Sequence, residues 1–226
     1  MTQLAVSGAS GKTGWRVVEE ALKRGRSVRA IVRPASVLPS ALAQAEQEGR
    51  LEVRRLELDT AEALLHALQG CTALVIATGA RPSINLAGPL QVDAWGVQVQ
   101  ACRSLGLKRV VLVSSLCAGR WLHPLNLFGL ILVWKRLGER CLERSGLDWT
   151  VIRPGGLSED DSRSATEGVL VTDADQQQSN SIPRRLVAQV CLDALEQPQA
   201  CGRILEITSS PAQPQRPLGQ WLDQNA

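Results

Sequence analysis

A glycine-rich segment near the amino terminus constrains the fold of this chain more than any other sequence feature. The apolar run QLAVS leads into GASGKTG, and a helical pattern follows, so that Gly8, Gly11 and Gly14 have the spacing GxxGxxG. In dinucleotide-binding loops such glycines permit a tight turn, a close approach of the backbone to a diphosphate, and close packing of helix on strand. The free N–H groups at the start of the helix favour anions. The segment therefore predicts a phosphate-binding loop, to which Ser10 and Thr13 add hydroxyl donors.

Two alternatives explain the same residues. Gly11, Lys12 and Thr13 resemble the end of the nucleotidase motif GxxxxGK[ST], but that motif requires a glycine where this chain has Val6. The loop is also too short to wrap a triphosphate. The other alternative is a glycine turn with a structural role only.

Short apolar runs alternate with helical patterns along the chain, which is typical of βαβ units and a parallel sheet. The runs lack polar alternation, as expected for strands buried on both faces of a doubly wound sheet. We predict an α/β fold with one domain over 1–208, a substrate-side region over 154–208, and a strap with a short docked helix over 209–226. A loose linker is the alternative for that tail. The predicted strands are 3–6, 27–32, 51–58, 73–77, 109–113, 149–152 and 203–208, and the helices are 12–24, 61–68, 90–105, 130–144 and 183–195.

Composition excludes several function classes. The net charge of +3, from 25 basic and 22 acidic residues, gives no electrostatic reason to expect a nucleic-acid partner. The six cysteines form no CxxC pair, and two histidines cannot complete a usual zinc set, so we expect reduced thiols, no metal and a cytoplasmic protein. The start MTQLAVSGAS lacks signal-peptide features. The most apolar run, 125–134, is about half a membrane span, so we expect no integral membrane segment.

The end of the second predicted strand indicates which dinucleotide is bound. A protein that prefers NAD usually has an acidic residue there for the ribose 2′-hydroxyl, but this chain has Arg33. A guanidinium suits a 2′-phosphate, and Lys12 could add a second cation. We therefore expect NADP(H). Asp59 is placed either to bound the adenine pocket or to cap the next helix, and the small residues after the fourth strand, Ala77, Thr78 and Gly79, would let a cofactor cross the sheet edge.

With the loop, Arg33, LVIATGA, VVLVSS and ERSGLDWTVIRPGGL in order, the chain resembles the atypical short-chain dehydrogenase/reductases. It is most similar to small NAD(P)-binding proteins of plants and cyanobacteria related to the NmrA-like group and to biliverdin reductase B. The resemblance runs from residue 2 to about residue 208. It implies a Rossmann-type domain that binds the cofactor across the carboxyl edge of its sheet, under a small carboxyl-terminal region.

The resemblance also implies roles for individual residues. The phosphates would be held by Gly8, Ser10, Gly11, Lys12 and Thr13, with Gly14 packing the helix, and the 2′-phosphate by Arg33. Asp59 would lie near adenine and Ala77–Gly79 near the ribose. Ser114 and Ser115 end the fifth strand, where the family has a catalytic or substrate-binding hydroxyl, and Ser115 is preferred. Lys135 would bind the nicotinamide ribose, and the turn beside the nicotinamide would comprise Pro154, Gly155 and Gly156.

One departure from the family pattern concerns the chemistry. Members with the motif YxxxK have a tyrosine four residues before the lysine, and it exchanges the substrate proton. Here that position is Ile131, and the chain contains no tyrosine. His123 is either a proton donor near the substrate or a loop imidazole bonded to backbone. The acidic turn Glu159–Asp161 is most simply a solvated loop.

Two functions fit these observations. The first is an NADPH-dependent oxidoreductase that reduces a planar, conjugated acceptor such as a flavin, quinone or tetrapyrrole, for which the proton can come from solvent. The second is a non-catalytic NADP(H) sensor or scaffold with a protein partner, which the missing tyrosine also permits.

Overall fold

A central eight-stranded sheet organises the computed structural model, which describes residues 3–57, 61–78, 87–119 and 131–225. The strand order is β3-β2-β1-β4-β5-β6-β10-β8, and all neighbouring strands are parallel except the antiparallel edge pair β8 and β10. A separate parallel pair joins β7 to β9. The strands are β1 Gln3–Ser7, β2 Val28–Val32, β3 Leu51–Arg55, β4 Cys71–Ile76, β5 Arg109–Val113, β6 Trp149–Pro154, β7 Gly156–Ser158, β8 Gly168–Asp173, β9 Ser181–Pro183 and β10 Arg203–Ser210.

Helices cover both faces of the sheet. On one face α1 packs against α6, and α6 packs against α7; on the other face α4 lies between α3 and α5. The helices are α1 Gly14–Lys23, α2 Ala43–Gln47, α3 Ala61–Leu68, α4 Ala87–Leu105, α5 Ile131–Glu143, α6 Arg184–Glu196 and α7 Leu218–Gln224. The 3-10 turns within the described ranges are Ser40–Leu42, Asp161–Ala165 and Pro198–Ala200.

Alternate residues of each central strand enter opposite cores. In β1, Leu4 and Val6 belong to the core beneath α1 and α6, while Ala5 belongs to the core beneath α3 and α4. All five residues of β2 and of β5 are buried. Burial on both faces explains why these strands are apolar throughout, and the predicted α/β, doubly wound, Rossmann-type architecture is confirmed.

The structure differs from the predicted elements mainly at the sheet margins. The predicted strand 51–58 ends at Arg55, because the edge strand β3 exposes its last residues to solvent. The strands β6 and β10 extend two residues beyond their predicted ends. The pattern of apolar residues does not predict β7, β8 or β9, since β7 and β9 are only three residues long and β8 is partly exposed at the edge.

The proline-containing tail after β10 leads into α7, whose Leu218 and Leu222 are buried. Trp221 is partly buried against the same core, and the Arg203 guanidinium lies 5.1 Å from its ring centroid. None of the helices in the described parts of the chain is long and apolar enough to cross a membrane.

Candidate functional site

The predicted cofactor residues lie at the carboxyl edge of the sheet, where β1 meets β4. These two strands pair in parallel, with Ser7 opposite Ile76, which lies 69 positions later in the sequence. The chain order of the strands reverses here, since β2 lies on one side of β1 and β4 on the other. Such a switch point opens a crevice between the connecting loops, and ligands of α/β sheets bind there.

The backbone of the glycine-rich loop requires its glycines. Gly8 has φ +75°, and an added Cβ would lie 2.9 Å from the backbone nitrogen of Thr78. A Cβ on Gly14 would overlap the carbonyl oxygen of Gly8. Gly11 donates its N–H to that same oxygen at 2.9 Å. The first and third glycines therefore serve the tight turn and the close helix–strand packing of a dinucleotide-binding loop.

Charged side chains of the carboxyl-terminal region cover one side of this loop. Lys12 Nζ forms an ion pair with Glu159. Arg16 Nε donates to Asp161 Oδ2 at 2.8 Å, and the Asp161 side chain is only 23% exposed. Arg184 Nη1 donates to Thr13 Oγ1 at 3.0 Å. The expectation that the acidic turn is merely solvated is therefore wrong for Asp161, because this carboxylate joins the turn to α1.

The predicted 2′-phosphate residue, Arg33, is exposed directly after β2. A turn forms there, in which Ser36 N–H donates to the Arg33 carbonyl at 3.0 Å. Arg55 lies opposite Val32 in the β2–β3 register, and its guanidinium donates to the Ser36 carbonyl at 2.6 Å. Arg55 thus brings a second cation to this turn, which sequence reasoning missed because only the strand register reveals it. The predicted residues Asp59 and Gly79 lie outside the described residues.

Thr78, predicted to lie near the ribose, is fixed by a tryptophan. The Trp95 indole N–H donates to Thr78 Oγ1 at 2.8 Å, and the Trp95 side chain is 1% exposed. Gly138 of α5 packs on the ring, since an added Cβ would overlap the indole. Ala77, the neighbouring predicted residue, donates its N–H to the Ser7 carbonyl at 2.9 Å. The end of β4 is therefore held between β1 and the α4–α5 pair.

Lys135 and Ser114 come together at the end of β5. Lys135 Nζ donates to the Ser114 carbonyl at 3.1 Å. Burial lowers the pKa of Lys135 to about 8, and the Glu139 carboxylate one turn along α5 opposes this shift. The Ser114 hydroxyl is buried and has no partner among the described residues. Ser115 is partly buried, and its carbonyl accepts from Ala118 N–H at 3.2 Å.

The turn after β6 lies beside this pair. The Pro154 carbonyl accepts from Leu116 N–H at 2.8 Å, which links the ends of β5 and β6. An added Cβ on Gly155 would overlap the carbonyl oxygen of Asn180, so this glycine lets the 174–181 segment approach the turn. Gly156, with no atom nearer than 3.6 Å to its Cβ position, faces less crowded space. Contacts within the chain therefore explain why residue 155 is a glycine, but they do not explain the glycine at 156.

A buried cluster of charged side chains packs next to the Pro154–Gly156 turn. Arg153, 1% exposed, donates to the fully buried Glu139 carboxylate at 2.7 and 2.9 Å and to Asp175 at 3.0 Å. Glu206 accepts from the backbone N–H groups of Gln176 and Gln177. The cluster therefore joins β6, α5, β10 and the 174–181 segment, and it holds the Pro154–Gly156 turn relative to Lys135.

The described geometry gives no role to His123, the one remaining candidate, or to the cysteines. His123 lies outside the described residues. Cys117 is buried with φ +65°, and its Sγ lies 3.7 Å from the Gln178 carbonyl. The six cysteines are free thiols, four of them buried. Within the described ranges, no group of three His, Cys, Asp or Glu residues could hold a metal ion.

The residues present fit a dinucleotide. The loop has the turn and packing that a diphosphate site needs, Arg33 is exposed where the adenosine ribose would lie, and two buried polar atoms at this edge, Ser114 Oγ and Arg184 Nε, have no described partner. Buried polar atoms without partners are rare in native proteins, and a bound water, ion or ligand is one explanation for them.

Comparison with known proteins agrees with this assignment. The family model described as NAD(P)H-binding matches residues 8–198. An uncharacterized chloroplastic protein of Arabidopsis thaliana is 36% identical over 224 residues, covering 93% of this chain and 78% of that protein. Sanguinarine reductase of Eschscholzia californica is 28% identical, covering 91% of this chain and 88% of the reductase.

Solved structures show the same fold. A putative NAD-dependent epimerase/dehydratase from Bacillus halodurans superimposes with a TM-score of 0.81 at 26% identity, covering 99% of this chain and 100% of that one. An anaerobilin reductase from Escherichia coli O157:H7 gives a TM-score of 0.73 at 23% identity, with coverages of 94% and 100%. A short-chain dehydrogenase/reductase from Veillonella parvula in complex with NADP gives 0.75 at 16% identity, with coverages of 93% and 95%. On the family match and the geometry of the glycine-rich loop, this chain belongs to the NAD(P)H-binding family.

Proposed function

We propose that this protein is an NADPH-dependent reductase of a planar, conjugated acceptor. The observation that carries the proposal is the combination of a Lys135 held at the end of β5 with the absence of tyrosine from the whole chain. Sanguinarine reductase and the anaerobilin reductase, whose names describe reductases, are similar to this chain in sequence and in fold respectively.

The preference for NADP(H) rests on Arg33 and Arg55. Both are exposed at the carboxyl edge beside the β2–β3 pair, where the adenosine 2′-phosphate of a dinucleotide would lie. A guanidinium forms charge-assisted bonds with a phosphate but gains much less from a ribose hydroxyl. The complex of the structurally similar Veillonella parvula protein contains NADP.

Arg33→Ala tests the cofactor preference. Loss of a charge-assisted pair should weaken NADPH binding about tenfold or more while leaving NADH binding nearly unchanged. Calorimetric titration with both dinucleotides measures this. Arg54→Ala is the matched control, because Arg54 is also exposed nearby but is paired with Glu52 at 2.5 Å. An equal loss of affinity for NADH and NADPH in Arg33→Ala would remove the basis of the assignment.

The described side chains suit an acceptor that needs no protein acid. When bound, NADPH would supply a hydride from its nicotinamide ring. Lys135 would bond the ribose hydroxyls, and the depressed pKa of Lys135 reflects burial at this edge. Ser114 and Ser115 can donate hydrogen bonds, but a serine hydroxyl is a poor acid. A flavin, quinone or tetrapyrrole delocalises negative charge after reduction, so its proton can come from solvent.

Turnover with contrasting acceptors tests the reaction. NADPH oxidation should be faster with flavins and quinones than with simple ketones, because general acid catalysis typically contributes about 10²–10⁴-fold. Ser115→Ala and His123→Ala should then leave quinone reduction nearly intact. Fast reduction of ketones that is abolished by His123→Ala would instead make His123 the acid. Tight NADPH binding without oxidation by any acceptor would favour the sensor or scaffold, which the missing tyrosine also permits.

A further inference from the structure

Arg184 brings a cation from the carboxyl-terminal region to the glycine-rich loop. It is the first residue of α6, which packs against α1. Its Nη1 donates to Thr13 Oγ1 at 3.0 Å, although the two residues are 171 positions apart in the sequence. Thr13 is the last residue of the loop before α1. The fold therefore places a guanidinium directly against a residue that the sequence predicts to bind phosphate.

The carboxylates nearest to Arg184, Glu159 and Asp161, attract its charge but form their direct ion pairs with other cations. Glu159 pairs with Lys12, and Asp161 pairs with Arg16 and with Arg185 at 3.2 Å. In the described part of the chain, no ion pair joins Arg184 to a carboxylate, and its buried Nε has no acceptor. Burial lowers the pKa of Arg184, yet a guanidinium stays protonated in proteins. A buried, charged donor without an acceptor is costly, which indicates a site for an anion.

The contact with Arg184 also orients the Thr13 hydroxyl. A hydroxyl has one hydrogen to donate, and an oxygen that accepts from a cation directs that hydrogen elsewhere. Thr13 is 6% exposed, and no described residue accepts its hydrogen. Arg184 and Thr13 thus present two donors, Nε–H and Oγ–H, at the end of the loop.

We propose that Arg184 is a further cofactor-binding residue, which binds the diphosphate of the dinucleotide together with the Thr13 hydroxyl that it orients. The carboxyl-terminal region would then contribute to dinucleotide affinity itself, in addition to covering the substrate side. The inference rests on dinucleotide binding and not on turnover, so its failure is distinguishable from failure of the proposed reaction.

The test compares Arg184→Met with Arg185→Met by titration with three ligands. Arg185 is the matched control, because it is adjacent but already paired with Glu19 at 2.6 Å and with Asp161. Arg184→Met should weaken NADPH and NADH by the same factor, about 10- to 100-fold, since both contain the diphosphate. Adenosine 2′-monophosphate, which lacks the diphosphate, should bind as tightly as to the wild type. Arg185→Met should change none of the three affinities by more than about threefold.

Two further measurements separate a binding role from a structural one. The affinity of Arg184→Met for NADPH should depend less on salt concentration than that of the wild type. The variant lacks the guanidinium charge, and so it lacks an attraction to the diphosphate that salt would screen. Arg184→Lys keeps the charge but loses the forked geometry, so its affinity should lie between the two and its salt dependence should persist. Unchanged dinucleotide affinity, or equal loss for all three ligands, would overturn the proposal. An increased KM for the acceptor at unchanged NADPH affinity would also overturn it and assign Arg184 to an acidic group of the acceptor.

Discussion

At the scale of single residues, Lys135 combines a structural cost with a proposed role in cofactor binding. Its ammonium is partly buried and bonded to one carbonyl, and burial lowers the pKa of Lys135 to about 8 from the ordinary 10.5. The folded protein therefore binds fewer protons at this residue than the unfolded chain between pH 8 and pH 10.5. Stability due to this group must rise with pH through that window.

Lys135→Met should remove this pH dependence. We expect the free energy of unfolding of the wild type, relative to the variant, to increase by about 1 kcal/mol between pH 7.5 and pH 9.5, after allowance for screening of a partly exposed group. Urea denaturation of both proteins at the two pH values measures it. The same variant should bind NADPH more weakly, because no other described ammonium lies against Ser114. A difference in stability that is constant with pH would contradict the account of Lys135.

At the scale of elements, α4 and α5 hold the segment after β4 through one buried residue, Trp95. Trp95 of α4 packs on Gly138 of α5 and donates to Thr78. A side chain at 138 would force these helices apart, whereas Gly96 in α4 has no described atom within 4 Å of its Cβ position. The packing of α4 on α5 therefore requires a glycine at 138 but not at 96.

Gly138→Ala should lower the free energy of unfolding by about 1–3 kcal/mol through overpacking. Gly96→Ala should raise it by about 0.5–1 kcal/mol, since alanine favours a helix interior. Chemical denaturation of the two variants under one set of conditions gives both values. Equal effects of the two substitutions would mean that the Trp95 contact does not set the spacing of α4 and α5.

At the scale of the whole molecule, local sequence signals predict the sheet and the loop but not the carboxyl-terminal contacts. The fully apolar β2 and β5, together with Gly8 and Gly14, encode their burial and turn geometry in short segments, so pattern and spacing suffice. Arg184 illustrates the opposite case. The helical pattern over 183–195 predicts a helix that begins here, but nothing local reveals a contact with Thr13, 171 positions away.

The same limit applies to the acidic turn. Its composition favours a solvated loop, and only the tertiary structure brings Asp161 to Arg16 and Arg185. The predicted residues Asp59, Gly79 and His123 lie outside the described residues, so their roles stay predictions.

The central claim is that the missing tyrosine determines which acceptors this protein reduces, and Ile131→Tyr tests it most directly. The substitution creates the spacing YxxxK with Lys135. The measurement is the ratio of kcat/KM for a simple ketone to that for a quinone, with NADPH, in the wild type and the variant. We predict a low ratio in the wild type and an increase of about 10-fold or more in Ile131→Tyr, through faster ketone reduction at unchanged quinone reduction. A wild type that reduces ketones as fast as quinones, with a ratio that the new tyrosine does not alter, would contradict the account.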